Sequence, residues 1–92
     1  MSEERLRLDK WLWCARFYRT REMAAAACES GRLRINGFRV EKAGREVRPG
    51  DVLTLPLRGQ VVAVRVVAGA SRRGGAPEAQ LLYEIVADPH TS

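Results

Sequence analysis

Fourteen arginines and two lysines carry most of the chemistry open to this 92-residue sequence, and they are unevenly spread. Residues 5 to 48 hold twelve of the sixteen cations against five carboxylates, a net of +7 in a chain whose total is +5. Arginine presents a planar fork of donors that matches the oxygens of a phosphate and stacks on flat rings, which a lysine ammonium cannot do. Arg19 and Arg21 flank the start of a predicted helix, where the dipole disfavours cations. Free amides and two guanidiniums there make a ready phosphate site. Arg32 and Arg34 alternate with Leu33 and Ile35 and give a strand one basic face. Such a pattern points to a polyanionic partner, the plainer reading being a solvated basic surface.

Catalytic chemistry has no comparable footing. There is no Walker loop, GxGxxG, HExxH or GxSxG, and the one histidine, His90, sits near the C-terminus. Asp9, Glu22 and Glu29 read as helix-terminal or surface acids rather than a working carboxylate pair. Cys14 and Cys28 lie in separate helical patterns and read as small buried hydrophobes, with neither a disulfide nor a metal expected. The sequence therefore predicts no enzyme and no cofactor. Its apolar runs fall far short of the roughly 20 residues needed to span a bilayer. The acidic start MSEERLRLDK lacks the apolar stretch of a signal peptide, so a cytoplasmic protein is expected.

The elements that must position these cations can be read from periodicity. Leu8, Trp11, Leu12, Ala15 and Tyr18 form the apolar stripe of an amphipathic first helix, with Lys10, Arg16 and Arg19 off it. Trp13 and Phe17, four apart, make a second aromatic strip for which core packing is expected over base stacking. Thr20 is placed to cap a second helix whose body is Ala24 to Ala27 and whose stop is Gly31. After the strand at 33 to 35, Asn36-Gly37 predicts a tight hairpin returning through Phe38 and Val40.

A polar loop, Glu41 to Val47, then leads to Arg48-Pro49-Gly50-Asp51, where Pro then Gly fits a type II turn. Val52 to Leu55 and Val61 to Val67 read as strands joined through Arg58-Gly59-Gln60. Gly69 to Pro77 reads as a mobile loop bearing Arg72 and Arg73. The spacing of Ala79, Leu82, Tyr83 and Val86 predicts a C-terminal helix, although LLYEIV also fits a strand. Ninety-two residues suit one domain. The expected fold class is α+β, two short helices packed on a small, mostly antiparallel sheet with that C-terminal element added.

The segments RLDKWLWCARFYRTR, ESGRLRINGFRV and VRPGDVLTL, in this order, resemble the ribosomal protein S-four type RNA-binding domain, whose core over residues 5 to 55 is the alpha-L motif. The RLDKWLW opening and the EAQLLYE segment are similar to the stand-alone heat-shock protein fifteen family of bacteria. Members of that family continue into a basic C-terminal tail, whereas this sequence stops at Ser92. The resemblance implies binding of structured RNA, namely large-subunit ribosomal RNA, with peptidyl-tRNA or a nascent chain as further partners during rescue of stalled large subunits. Carried over by position, the RNA-facing set is Arg7, Lys10, Arg16, Arg19, Thr20, Arg21, Arg32, Arg34, Asn36, Gly37 and Lys42. The alternative is a protein-interaction module, or an RNA-targeting domain for a separate enzyme; the start at Met1 speaks against an appended domain. With no heptad and no obvious apolar patch, a monomer is expected.

Overall fold

A computed structural model describes residues 6–57, 59–70 and 72–86. Its first element is a short strand, β1 (Leu6–Arg7), that runs directly into α1 (Leu8–Cys14). Leu8, Trp11 and Leu12 are buried on α1, as the stripe requires, and Cys14 is buried with them. The helix nonetheless ends one turn before Tyr18, shorter than its periodicity predicts. Arg16 takes φ +67°, its amide donates to the Trp13 carbonyl at 3.0 Å, and the Phe17 amide reaches back to Leu12 at 3.0 Å. These paired bonds are the Schellman ending of a helix, here with arginine where glycine is usual. The apolar spacing continues through the turn, so Phe17 still packs, with its ring 6.1 Å from Trp11 and 4.6 Å from Tyr83.

Helix α2 (Arg21–Glu29) starts and stops where the sequence says. The Thr20 hydroxyl accepts from the Met23 amide at 3.0 Å, and Gly31 follows the helix at φ +82°. Its small residues let it lie against α1, burying Ala24 and Cys28. Both cysteines are buried free thiols. Burial pushes the Cys28 thiol up to about 12, with the nearby charges of Asp9 and Glu29 adding to the effect.

The helices cover one face of a five-stranded antiparallel sheet of order β3-β2-β5-β6-β7, formed by β2 (Arg34–Ile35), β3 (Phe38–Arg39), β5 (Val52–Leu57), β6 (Gln60–Val66) and β7 (Tyr83–Ile85). Leu33, Ile35, Leu53, Leu55, Val64 and Val66 face the helices and are buried, while Arg34 points away. Asn36 and Gly37, at φ +52° and +88°, make the β2–β3 turn in the mirror-image form that suits a twisted hairpin. Gly50, at φ +99°, supplies the positive φ of the type II turn before β5.

Three further expectations change. The loop at 41–47 ends in a strand, β4 (Glu46–Val47), that pairs with β1. Only the start of the C-terminal segment is helical, α3 (Ala76–Gln80), and the rest is β7, because Val64, Arg65 and Val66 offer a free edge that Tyr83 to Ile85 pair with. The loop carrying Arg73 is tied down. The Arg73 guanidinium lies 5.7 Å from the Trp13 ring centre and donates to the Trp13 carbonyl at 2.9 Å, while the Gly74 carbonyl accepts from Arg16 at 3.1 Å. His90 lies outside the described residues.

Candidate nucleic-acid interface

Asp9 is the buried charge among the described residues, 4% exposed, and two arginines converge on it. Arg7 places Nε and Nη2 each 3.2 Å from the carboxylate oxygens, and Arg21 brings its Nε to 3.5 Å. The Lys10 amide donates to the same group at 2.7 Å. A burial this deep would be costly for an unpaired carboxylate, and the two guanidiniums together with the amide satisfy it. Arg7 and Arg21 themselves keep about half of their side-chain surface in water, at 52% and 42% exposed. Donors not turned to Asp9 therefore remain at the surface, on forks whose orientation the carboxylate holds.

Backbone pairing brings a second basic segment to this point. The Leu8 amide donates to Arg45 at 2.8 Å and the Asp9 amide to Ala43 at 3.2 Å, which seats the 41–45 loop on the start of α1. The Arg7 guanidinium lies over Gly44, about 3.6 Å from where a Cβ would stand. Beside it Arg39, Glu41, Lys42, Gly44 and Arg45 line a shallow concavity. Arg39 is the cross-strand partner of Arg34, so the basic surface runs from Arg21 through Asp9 and Arg7, past the concavity, to the β2–β3 hairpin. Arg39 also has an exposed carboxylate neighbour, Glu41, at 3.6 Å, a pair of little energetic weight.

The other carried-over positions fall differently. Arg32 is exposed beside the hairpin, and Arg34 turns one guanidinium nitrogen to the Gly37 carbonyl at 3.3 Å. Asn36 does more than form a turn. Its side-chain oxygen accepts from the Val52 amide at 2.9 Å and its nitrogen donates to Asp51 at 3.1 Å, which locks the hairpin to β5. Lys10 is half-buried on α1, Lys42 is exposed, and Arg19 is exposed in the turn before α2. Thr20 spends its hydroxyl on the helix cap. Arg16 lies beyond α1 rather than on its exposed side, tethered to Gly74. One face of Trp13 is taken by Arg73, so this indole serves as a bridge to the 72–74 segment.

Sequence reasoning missed four residues here. Arg39 was within reach, since a two-residue turn at Asn36-Gly37 makes 34 pair with 39 by simple counting. The role of Asp9 carried no signal, because a first-turn carboxylate already has a sufficient explanation in the helix dipole. Arg45 and Arg73 reach their partners through loops without periodicity.

Comparison with known proteins bears on the fold and the family. A family model, the S4 domain, matches residues 6–53. The heat shock protein 15 homolog of Haemophilus influenzae is 45% identical, over 91% of this chain and 63% of that protein. Heat shock protein 15 of Escherichia coli K12 is 43% identical over 90% and 62%. The chain thus spans less than two thirds of the length of these relatives. A protein named RQC P-site tRNA stabilizing factor, from Halalkalibacterium halodurans, is 36% identical over 87% of this chain and 89% of its own. A solved trimeric structure of Vibrio cholerae heat shock protein 15 superposes with a TM-score of 0.88 at 41% identity, covering 96% of this chain and 88% of that one. With a family match over just over half of its residues and a relative covered nearly end to end, the chain belongs to the S4 domain family.

Proposed function

We propose that this protein binds structured RNA without catalysis, and that the RNA belongs to a large ribosomal subunit carrying tRNA. The observation that carries the reading is the Asp9 anchor: guanidiniums oriented by a buried carboxylate, beside the basic 42–45 loop and the Arg34–Arg39 pair. Pre-oriented forks lose little freedom when they take up phosphates, and their spacing rather than a base sequence selects the partner. A-form RNA suits such a reader, since its major groove is too narrow for side chains and its phosphates and folds carry the recognisable shape. The name of the Halalkalibacterium halodurans relative, a P-site tRNA stabilizing factor, supports the ribosomal setting. In this reading Arg7, Lys10, Arg21, Lys42, Arg34 and Arg39 contact phosphates, with Arg19 and Arg32 at the margins, while Arg16, Thr20, Asn36 and Gly37 act mainly by shaping the surface. Among the described residues no helix is long and apolar enough to cross a membrane, and a cytoplasmic place follows from the ribosomal partner. The monomer expected from the sequence lacks support from the Vibrio cholerae structure, a trimer, and light scattering of the purified chain tests it.

Co-sedimentation with purified large subunits, and anisotropy titrations with a labelled RNA stem-loop across salt concentrations, test the proposal. If about five phosphates are neutralised, log K falls against log salt with a slope of roughly −3.5 to −4.5. Arg21→Ala with Arg34→Ala should weaken binding far more than Arg65→Ala with Arg72→Ala, two charges removed in each case. A flat salt response, or equal losses from both pairs, overturns it.

A further inference from the structure

The β2–β3 hairpin carries an aromatic ring that the fold does not use. Phe38 is 74% exposed although its cross-strand partner, Ile35, is buried to 1%. It sits on β3, the edge strand of the sheet, where charged or polar side chains are the usual protection against unwanted pairing. We propose that Phe38 is the stacking platform for one unpaired base of the bound RNA, a site that rests on the RNA reading above and adds to it a preference for single-stranded nucleotides.

Three features of the hairpin point to this ligand. First, the backbone under the ring is pinned. Asn36 and Gly37 hold the turn, the Asn36 side chain bonds to Val52 and Asp51 at 2.9 and 3.1 Å, and Arg34 donates to the Gly37 carbonyl at 3.3 Å. The entropy of ordering the platform is thus already met by the fold. Second, cations stand on the other side of the same ribbon. Paired residues of an antiparallel ribbon share a face, so Arg34 and Arg39 occupy the face opposite to that of Ile35 and Phe38. A strand of RNA crossing this edge can lay a base on the phenyl ring while its neighbouring phosphates meet the two guanidiniums, the pairing of aromatic platform and basic track by which single strands are held. Third, both tryptophans are engaged by the fold: Trp13 has one face covered by Arg73, and Trp11 is buried with its indole nitrogen bonded to the Ala68 carbonyl at 2.8 Å. Paired bases in a continuous helix keep their faces covered by their neighbours, which is why the site requires an unpaired one.

The test uses two RNA probes, a stem closed by a loop of unpaired adenines and the same stem as a blunt duplex. Phe38→Ala and Phe38→Leu should each weaken binding of the looped RNA by roughly 5- to 150-fold, the range for losing one base–aromatic stack, and leave the duplex within about twofold. Phe38→Trp should restore or exceed the wild-type affinity for the loop. Leucine keeps an apolar side chain at this position but has no π face, so an unchanged affinity of Phe38→Leu for the loop overturns the stacking proposal, as does an equal loss on both probes. In either case Arg34→Ala with Arg39→Ala still weakens both RNAs if the phosphate reading holds. Failure of the wild-type chain to bind either probe overturns both readings together.

Discussion

Replacing Asp9 by Asn separates an oriented basic surface from one that merely carries charge, because the two ideas predict opposite signs. The substitution keeps size and one acceptor oxygen but removes a negative charge, raising the net charge from +5 to +6. If charge alone draws RNA, Asp9→Asn binds more tightly. At roughly 8 Å from a phosphate in a water-like dielectric, that gain is about 0.5 kcal/mol before salt screening. If Asp9 orients Arg7 and Arg21, releasing them costs about 0.5 to 1.5 kcal/mol each when they must be ordered on RNA. Together this is about 1 to 3 kcal/mol, so binding should weaken, net of the opposing gain, by roughly twofold to 70-fold. Stability falls as well. Both guanidiniums are about half exposed and can recover water, so the loss should be about 1 to 3 kcal/mol rather than that of a wholly buried pair. At roughly 4 to 8 °C per kcal/mol for a domain of this size, Tm drops by about 4 to 24 °C. Anisotropy titration with a labelled stem-loop, run well below the variant's Tm and with circular dichroism confirming the fold, gives the answer. Equal or tighter binding by a folded Asp9→Asn variant refutes the orienting role.

Three other outcomes follow from the packing. Asn36→Ala removes two side-chain bonds to the 51–52 segment and should cost about 1 to 3 kcal/mol in urea unfolding; adding Gly37→Val, where φ is +88°, should cost more, since a β-branched residue resists that conformation. An unchanged midpoint would mean that these bonds do not hold the hairpin. Arg73→Ala should lower stability by about 1 to 3 kcal/mol and alter tryptophan emission, because a charge-assisted bond and a cation–π contact are lost together at Trp13. A variant matching the wild type in both measurements would leave the 72–74 segment untethered. Burial holds the Cys28 thiol neutral in the folded state, up to about 12 from 9.0, so its share of stability is complete below pH 9 and is lost as pH rises from there toward 12, where the unfolded chain releases its proton first. Native alkylation of Cys28 at pH 8 should be slow and become fast in denaturant, and equal rates in both would contradict the burial.

The two turns and the second helix were legible because each depends on a few adjacent residues. Asn36-Gly37 and Pro49-Gly50 meet backbone requirements that few other residue pairs meet, and Thr20 caps α2 with its own hydroxyl. The end of α1 was not legible, since a left-handed arginine at position 16 is held by a bond to Gly74, 58 residues away, together with the local backbone bonds. The C-terminal segment misled for a similar reason. The periodicity of residues 79 to 86 fits a helix, yet the open edge of β6 offers backbone partners that an isolated segment does not have, and β7 takes them.

By itself the sequence determined that this is a small α+β chain with its positive charge concentrated in the first half, an alternating basic strand and a hairpin of known register, because composition and nearest-neighbour backbone preferences do not depend on the rest of the molecule. Only the tertiary structure decided which cations act together. Asp9 meets Arg21 from the next helix and has the 41–45 loop folded against it, Arg39 joins Arg34 across the hairpin, and Arg73 is withdrawn onto Trp13. Charge placement at this level depends on long-range contacts, which set the burial of one carboxylate and the seating of one loop, and neither leaves a local pattern in the chain.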